Sequence, residues 1–190
     1  LKSKPLLLPY VLKALGETMD RHPALSSMIK WGRIFQRKDK KITVMVNISM
    51  QGRFDLSLLN LDDVHLMSDE LIREKINTQA TGIRNFRDPH LGPMLKIIKY
   101  VPRFLMRFFL KTYEILIYEF NTRLGLTFLP HRPFGSIIVS NVGSLGISNA
   151  LLPLIPITRS SLMISVGKIQ SKPMVVNEII CARQVVQMGV

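Results

Sequence analysis

The spacing of apolar residues along the chain predicts a mixture of helices and strands. Apolar side chains recur every three or four residues over 6–19, as on one face of an amphipathic helix. Apolar and polar residues alternate over 42–49, which is the period of a half-buried strand. A second helix is predicted over 69–79, behind Ser68 as a good N-cap residue. Further strands are predicted at 53–58, 136–142, 162–166, 174–176 and 179–188.

This succession of helices and strands indicates the α/β or the α+β class. Four charged residues at 38–41 predict a hairpin tip between a strand at 33–37 and the strand at 42–49. The uncharged stretch 133–158 contains three prolines and three glycines, so we do not expect a continuous transmembrane helix there.

Charge narrows the range of expected partners. The chain has 26 Lys and Arg against 13 Asp and Glu, a net charge of +13. Neither zinc-finger spacing nor the aromatic pattern of an RNA-binding sheet accompanies this charge, so we expect no nucleic acid. An anionic cofactor or an anionic membrane surface would account for the net positive charge equally well. The single Cys181 and the isolated histidines predict neither an internal disulfide nor a metal site, and indicate a reducing compartment such as the cytoplasm.

A basic amphipathic segment is predicted at about 94–124, with a helix over 96–120. Bulky apolar residues, Phe104, Leu105, Phe108 and Phe109, occupy a side of the helix between its cations. Helices of this kind lie in a membrane interface, bind a partner's groove, or pack on their own domain. The residues that form the basic face recur every three or four positions and are Lys96, Lys99, Arg103, Arg107 and Lys111.

A Ser-Asn pair followed by glycines closes the predicted strand at 136–142. Ser140 and Asn141 precede Gly143 and Gly146, and glycine permits close backbone approach. A polar pair at the end of a buried strand is a common position for a hydrogen-bond donor that points into a site. The pattern is not that of a phosphate-binding loop, because the Gly-Lys-Ser/Thr that opens the helix of such a loop is missing.

The sequence around this pair resembles a known family. Residues 135–146, GSIIVSNVGSLG, resemble the stretch GTFTISNLGMFG of dihydrolipoamide acyltransferases, the catalytic cores of the 2-oxoacid dehydrogenase complexes. Residues 162–169 resemble AILGVGRI and residues 172–176 resemble KPVV, in the family's order. Upstream, residues 8–15 and 22–25 resemble FIIKALALAL followed by HPELN.

The resemblance implies a chloramphenicol-acetyltransferase-like fold, which is a two-layer α/β sandwich with a mixed sheet and helices on one face. It also implies a homotrimer and acyl transfer between coenzyme A and a thiol or hydroxyl acceptor. In that family a hydroxyl in the Ser-Asn stretch stabilises the tetrahedral oxyanion. The resemblance places this role on Ser140, with Asn141 supporting the turn, and leaves the cofactor-binding residues and the acceptor open.

Two departures from the family matter: the missing histidine motif, and a longer stretch of chain before the Ser-Asn strand, most of which is the basic segment. The family's general-base histidine belongs to a DHRxxDG motif after the strand that matches 185–190, and this sequence ends at Val190. His131 begins the similar run HRPFG, which lacks the aspartate. We therefore expect residues 1–190 to form one incomplete acyltransferase-like domain, inactive in isolation, with the basic segment at about 94–124 as an insertion. Two alternatives follow. The chain is part of a longer enzyme that carries the histidine motif, or it is an inactive oligomeric scaffold of the same fold. The expected location is the cytoplasm or the inner face of a membrane.

Overall fold

A five-stranded mixed sheet organises the structure. This computed structural model describes residues 7–50, 53–84, 102–120 and 134–190. The strand order is β4-β3-β5-β6-β9, in which β3, β5 and β6 run parallel and the two edge strands run antiparallel to their neighbours. The sheet strands are β3 (Lys41–Met50), β4 (Arg53–Asp62), β5 (Ile137–Ser140), β6 (Leu162–Val166) and β9 (Met188–Gly189).

Two helices cover one face of this sheet. They are α1 (Leu7–Arg21) and α2 (Asp69–Arg84), and the backbone N–H of Leu71 donates to the Ser68 hydroxyl at 3.2 Å, as expected of an N-cap. Alternate residues of the strands point toward the helices and are excluded from water, which drives the two layers together. The buried residues of this core are Leu12, Met19, Ile42, Val44, Leu59, Leu61, Val64, Ile72, Ile137, Val139, Ile164 and Val166.

The opposite face of the sheet is covered by irregular chain. Thr43 is fully buried there, and its hydroxyl accepts a hydrogen bond from the Gly135 backbone N–H at 2.7 Å while donating to Asn60 Oδ1 at 2.6 Å. Ser165 is also buried, and its hydroxyl donates to the backbone carbonyl of Ala150. Buried polar groups need such partners, so these bonds fix the segments around residues 135 and 150 against the sheet.

Two separate hairpins flank the main sheet. The first joins β1 (Ser27–Lys30) to β2 (Arg33–Gln36), and the second joins β7 (Gln170–Val176) to β8 (Ile179–Val185). Each hairpin turns through two residues, and Trp31 and Gly32 of the first both have positive φ, the conformation that a tight hairpin turn requires.

The predicted hairpin tip at 38–41 is therefore wrong. β2 pairs with β1. Lys38, Asp39 and Lys40 belong to the segment that connects this hairpin to β3, and Lys41 is the first residue of β3. The turn forms at Trp31-Gly32 because glycine accepts φ of +70 without strain. The single strand predicted at 179–188 is also wrong, since β8 ends at Val185 and β9 begins at Met188.

A third helix packs against the first hairpin. This is α3 (Arg103–Glu114), which begins after Pro102 and continues into a π turn, Ile115–Glu119. Tyr113 of α3 and Ile117 and Tyr118 of the π turn form a small buried cluster with Met28 of β1. The predicted positions 96–101 of this helix lie outside the described residues, as does much of the predicted insertion.

Candidate functional site

The Ser-Asn pair lies where the central strand of the sheet ends. Ser140 is the last residue of β5 and is half-buried, in register with Met45 of β3 and Ser165 of β6. All three share the face of the sheet opposite to α1 and α2, because their neighbours on β5 and β6, Val139 and Ile164, belong to the helix-covered core. Ser140 thus stands at the carboxyl edge of three parallel strands.

Asn141 begins a tight turn directly after β5. Its backbone carbonyl accepts hydrogen bonds from the Ser144 hydroxyl at 2.7 Å and from the Ser144 N–H at 3.4 Å. The turn is a short 3-10 helix, Val142–Leu145, that ends at Gly146 with φ of +81°. In this structure the backbone of Asn141 organises the turn, whereas its predicted part in a reaction stays a prediction.

A close backbone approach at Gly143 joins this turn to the end of β6. A Cβ atom on Gly143 would lie 2.6 Å from the carbonyl oxygen of Gly167 and 2.9 Å from the backbone nitrogen of Lys168. The Lys168 N–H donates to the carbonyl of Ile147 at 2.9 Å. Close approach of the two backbones therefore brings Lys168 beside the Ser-Asn turn, although 27 residues separate Lys168 from Asn141 in the sequence.

These two segments border a cleft of about 550 Å³. Leu7 and Leu8 of α1 form an apolar wall, and Lys168 and Gln184 contribute an exposed cation and an amide. The volume falls in the range of small-molecule sites, and an apolar wall with few polar groups is typical of them. The remaining lining residues are Asn141, Gly143, Ser144, Val166, Gly167, Ile169 and Ser171.

The chemistry of this lining fits a cofactor with an apolar arm and a phosphate end. The Lys168 ammonium supplies three donors for phosphate oxygens, and the leucine wall excludes water from a flexible chain. The residues that could hold coenzyme A, which sequence reasoning left open, are thus Lys168 and its neighbours. Gly167, Lys168 and Ile169 end the stretch that resembles AILGVGRI, and their position beside the Ser-Asn turn follows from the pairing of β5 with β6.

No histidine among the described residues lines this cleft. His22 precedes the 3-10 helix Pro23–Ser26, and His65 packs its backbone against Gly16 of α1. His90 and His131 fall outside the described residues. Within the described ranges, no group of three or more His, Cys, Asp or Glu side chains could hold a metal ion.

A second polar constellation, which the sequence did not reveal, is centred on Arg159. Its guanidinium donates to Glu114 Oε1 at 2.8 Å and to Glu119 Oε1 at 3.0 Å, and also to the backbone carbonyl of Ile29. Burial lowers the pKa of Arg159, but hydrogen bonds and charge attraction from Glu114 and then Glu119 outweigh it, so the pKa lies above the ordinary value. Arg159 therefore clamps α3 and its π turn to the first hairpin.

The clamp borders a groove of about 640 Å³ between the β1–β2 hairpin and residues 154–161. Nearby, burial raises the pKa of Tyr113 to about 12, with a smaller contribution from Tyr118. Both tyrosines belong to the cluster under α3, so this shift reflects packing rather than a reactive hydroxyl.

The structure describes only part of the predicted basic face. Arg107 and Lys111 are exposed on α3, and Arg103 is the first residue of that helix. Lys96 and Lys99 lie outside the described residues. The predicted apolar side is divided, because Phe104 and Phe108 face solvent while Phe109 is half-buried. In the described parts of the chain, no helix is both long enough and apolar enough to cross a membrane.

Comparison with solved structures identifies the fold. The chain is similar to a probable dihydrolipoamide acetyltransferase from Listeria monocytogenes 4b F2365, with a TM-score of 0.64 and 15% identity, over 95% of this chain and 58% of that chain. It is also similar to the dihydrolipoamide acetyltransferase of Azotobacter vinelandii, with a TM-score of 0.62 and 13% identity, over 96% of this chain and 57% of that chain. That structure served to study the role of one serine, one histidine and one asparagine in its catalytic mechanism.

A third similar structure is the cubic core of a pyruvate dehydrogenase multienzyme complex, with a TM-score of 0.61 and 15% identity, over 97% of this chain and 58% of that chain. The chain therefore spans less than three fifths of the length of these proteins. No protein-family model matches it, and no curated protein does.

The fold is that of the catalytic cores of 2-oxoacid dehydrogenase acyltransferases. This confirms the resemblance drawn from the sequence and the predicted mixed α/β sheet. At 13–15% identity the likeness concerns the fold, and what the chain does must be argued from its own residues.

Proposed function

We propose that this chain is a coenzyme A-dependent acyltransferase-like domain that moves an acyl group between coenzyme A and a thiol or hydroxyl acceptor. The observation that carries the proposal is the position of the Ser-Asn pair at the carboxyl end of β5. Asn141 lines the cleft that contains Lys168, and Ser140 directly precedes it without itself lining that cleft. The fold is one in which acyl transfer is known, and a serine is among the residues whose role in catalysis was studied in the Azotobacter vinelandii protein.

In this proposal Ser140 acts on the oxygen of the tetrahedral intermediate. Attack of a thiolate or alkoxide on the acyl carbonyl places negative charge on that oxygen, and a serine O–H that donates to it stabilises the charge. Because the strand end and the Asn141 turn hold the serine in place, the donor costs little reorganisation when charge develops. A general base must take the acceptor's proton, and the described residues of the cleft do not supply a histidine for this step.

Lys168 is proposed to bind a phosphate group of the cofactor. It is exposed at the rim of the cleft, while Leu7 and Leu8 line its apolar wall. The excess of positive charge over the whole chain would help to attract the anionic cofactor.

Binding and turnover of coenzyme A test the proposal separately. Calorimetry on the chain should detect coenzyme A binding, and Lys168→Gln should weaken it by about threefold to tenfold, as for one partly solvated charge pair. The matched control is Lys38→Gln, an exposed lysine that lies on a different pocket. Equal affinity of the Lys168→Gln variant and the parent would remove Lys168 from the site.

Turnover must be measured in a protein that supplies the general base. There, Ser140→Ala should lower kcat by about a hundredfold or more, the usual effect of removing one oxyanion donor. Thr18→Ala is the control, since its exposed hydroxyl lies on α1 outside the cleft lining and donates only to the Ala14 carbonyl of the same helix. The isolated 190 residues should bind coenzyme A without acyl transfer. Measurable acyl transfer by the isolated chain would show that another residue of these 190 acts as the general base.

The alternative is an inactive scaffold of the same fold. The cleft lining, which lacks a histidine within the described residues, is the observation that favours it. A scaffold need not bind coenzyme A, so the calorimetric measurement also separates the two functions.

We also propose that the chain assembles as a homotrimer. The β7–β8 hairpin stands apart from the main sheet and exposes apolar residues on both strands. A two-stranded hairpin by itself is marginally stable, so a second copy that covers it would stabilise this fold. The similarity to a cubic multienzyme core agrees with such assembly.

A further inference from the structure

The outer face of α3 exposes two phenylalanines beside two cations. Phe104 is 81% exposed and Phe108 is 70% exposed, and Arg107 and Lys111 are exposed as well. At 100° per residue, these four positions fall within about 100° of arc around the helix axis. They form one continuous face, with the two cations toward one side of it and the two phenylalanines toward the other.

This outer face is not needed to pack the helix. Tyr113 and Ile117 lie on the other side of the helix, and they are buried with Met28. An amphipathic helix normally buries its apolar stripe and exposes polar residues. α3 has an apolar stripe on each side, so the outer phenylalanines require another explanation.

The tip of the β1–β2 hairpin also exposes apolar and basic residues. Trp31 is 59% exposed and Ile34 is 80% exposed, with Lys30 and the exposed Arg33 as basic neighbours. The Trp31 ring meets the edge of the Phe120 ring with centroids 5.4 Å apart. That contact joins the tip of the hairpin to the chain at the end of the π turn that follows α3.

The charge of this surface is positive because its cations outnumber the acids beside it. Glu114 and Glu119 share the single guanidinium of Arg159, and both are largely withdrawn from solvent. The one negative charge that remains is outweighed by Arg107, Lys111, Lys30 and Arg33. Cations that flank exposed Trp and Phe side chains are complementary to an interface of anionic lipid headgroups.

We propose that the outer face of α3 and the tip of the β1–β2 hairpin together dock on an anionic lipid bilayer. Phe104, Phe108 and Trp31 enter the headgroup region, and the four cations contact lipid phosphates. Each basic residue near an anionic surface strengthens binding, whereas the phenylalanines contribute through apolar burial. The proposal rests on this surface and is independent of any acyl transfer.

Trp31 gives a direct readout because it is the only tryptophan in the chain. The parent protein is mixed with vesicles of equal parts phosphatidylcholine and phosphatidylglycerol, or of phosphatidylcholine alone. We expect co-sedimentation and a blue shift of Trp31 emission with the anionic vesicles only. Brominated lipids should quench that emission, and added salt should weaken binding through screening.

Matched variants separate this surface from net charge. Arg107→Gln with Lys111→Gln should bind anionic vesicles about tenfold more weakly. Arg21→Gln with Lys38→Gln removes the same charge from exposed positions elsewhere and should bind nearly as the parent. Phe104→Ser with Phe108→Ser should also lose binding, whereas Leu66→Ser with Leu151→Ser, two exposed leucines elsewhere, should not. Far-UV circular dichroism verifies that each variant is folded.

Three results would overturn the proposal. One is failure of the parent to bind the anionic vesicles. Another is equal weakening by the two pairs of charge substitutions, which would show attraction by net charge. The third is that Phe104→Ser with Phe108→Ser binds vesicles as the parent does but has a lower mass in sedimentation. That result would assign the face to contact between copies of the chain.

Discussion

At the scale of single residues, the candidate site depends on a close backbone contact. Ser140 and Asn141 are the proposed chemical groups, and Gly143 allows their turn to rest on the backbone of Gly167 and Lys168. Any side chain at position 143 would collide with backbone atoms that cannot rotate away. The glycine therefore sets the distance between the two halves of the cleft.

Gly143→Ala should lower the free energy of unfolding by about 2–3 kcal/mol, because the new Cβ would overlap the Gly167 carbonyl. It should also weaken coenzyme A binding by moving Lys168. The control is Gly146→Asn, since φ is +81° there, open space surrounds the Cβ position, and asparagine tolerates that conformation. Urea unfolding measures the stability of the two variants, and calorimetry measures their binding of coenzyme A. Equal stabilities of the two variants would contradict the role given to Gly143.

At the scale of elements, the position of α3 is decided by one arginine. Arg159 has φ of +50°, which is unfavourable for a side chain with a Cβ, yet it holds Glu114, Glu119 and the Ile29 carbonyl together. Only about a fifth of its side chain is exposed, so these ion pairs are weakly screened. The clamp orients both elements of the proposed membrane surface.

Arg159→Met should destabilise the fold by about 2 kcal/mol, because it leaves two partly buried carboxylates without their cation. Adding Glu114→Gln and Glu119→Gln to this variant should restore part of the loss, since the uncompensated charges are then removed. Thermal or urea unfolding of Arg159→Met, of Glu114→Gln with Glu119→Gln, and of the variant with all three changes completes the cycle. A triple variant no more stable than Arg159→Met would show that the ion pairs contribute little.

At the scale of the whole molecule, the β7–β8 hairpin carries a further exposed apolar surface outside α3 and the first hairpin. Val175 and Ile180 are cross-strand partners, and they are 67% and 75% exposed. Neighbouring apolar residues on both strands are exposed as well. Such a patch on a two-stranded sheet is typical of a contact between subunits.

Val175→Lys with Ile180→Lys should convert the proposed trimer to monomers, since charges at the centre of a subunit contact are costly to desolvate. Sedimentation equilibrium measures the mass. Leu66→Lys with Leu151→Lys changes two exposed leucines elsewhere and should leave the mass unchanged. A trimer that survives the hairpin substitutions would place the subunit contact on another surface.

Local patterns in the sequence were enough to predict four strands of the main sheet, β3, β4, β5 and β6, and the two helices that cover it. The alternation at 42–49 predicted β3, and the three- and four-residue spacing at 6–19 predicted α1. These patterns succeed because a strand or helix with one buried face must repeat its apolar residues at its own period. The family-like run at 135–146 likewise placed Ser140 at the end of a strand.

Only the tertiary structure decided which segments meet. It put Lys168 beside the Ser-Asn turn, divided the apolar residues of α3 between an inner and an outer face, and used Arg159 to hold that helix against the first hairpin. Each of these contacts joins residues far apart in the sequence, where no local period relates one partner to the other. The sequence by itself determined the faces that each element must bury, and packing decided which neighbour buries them.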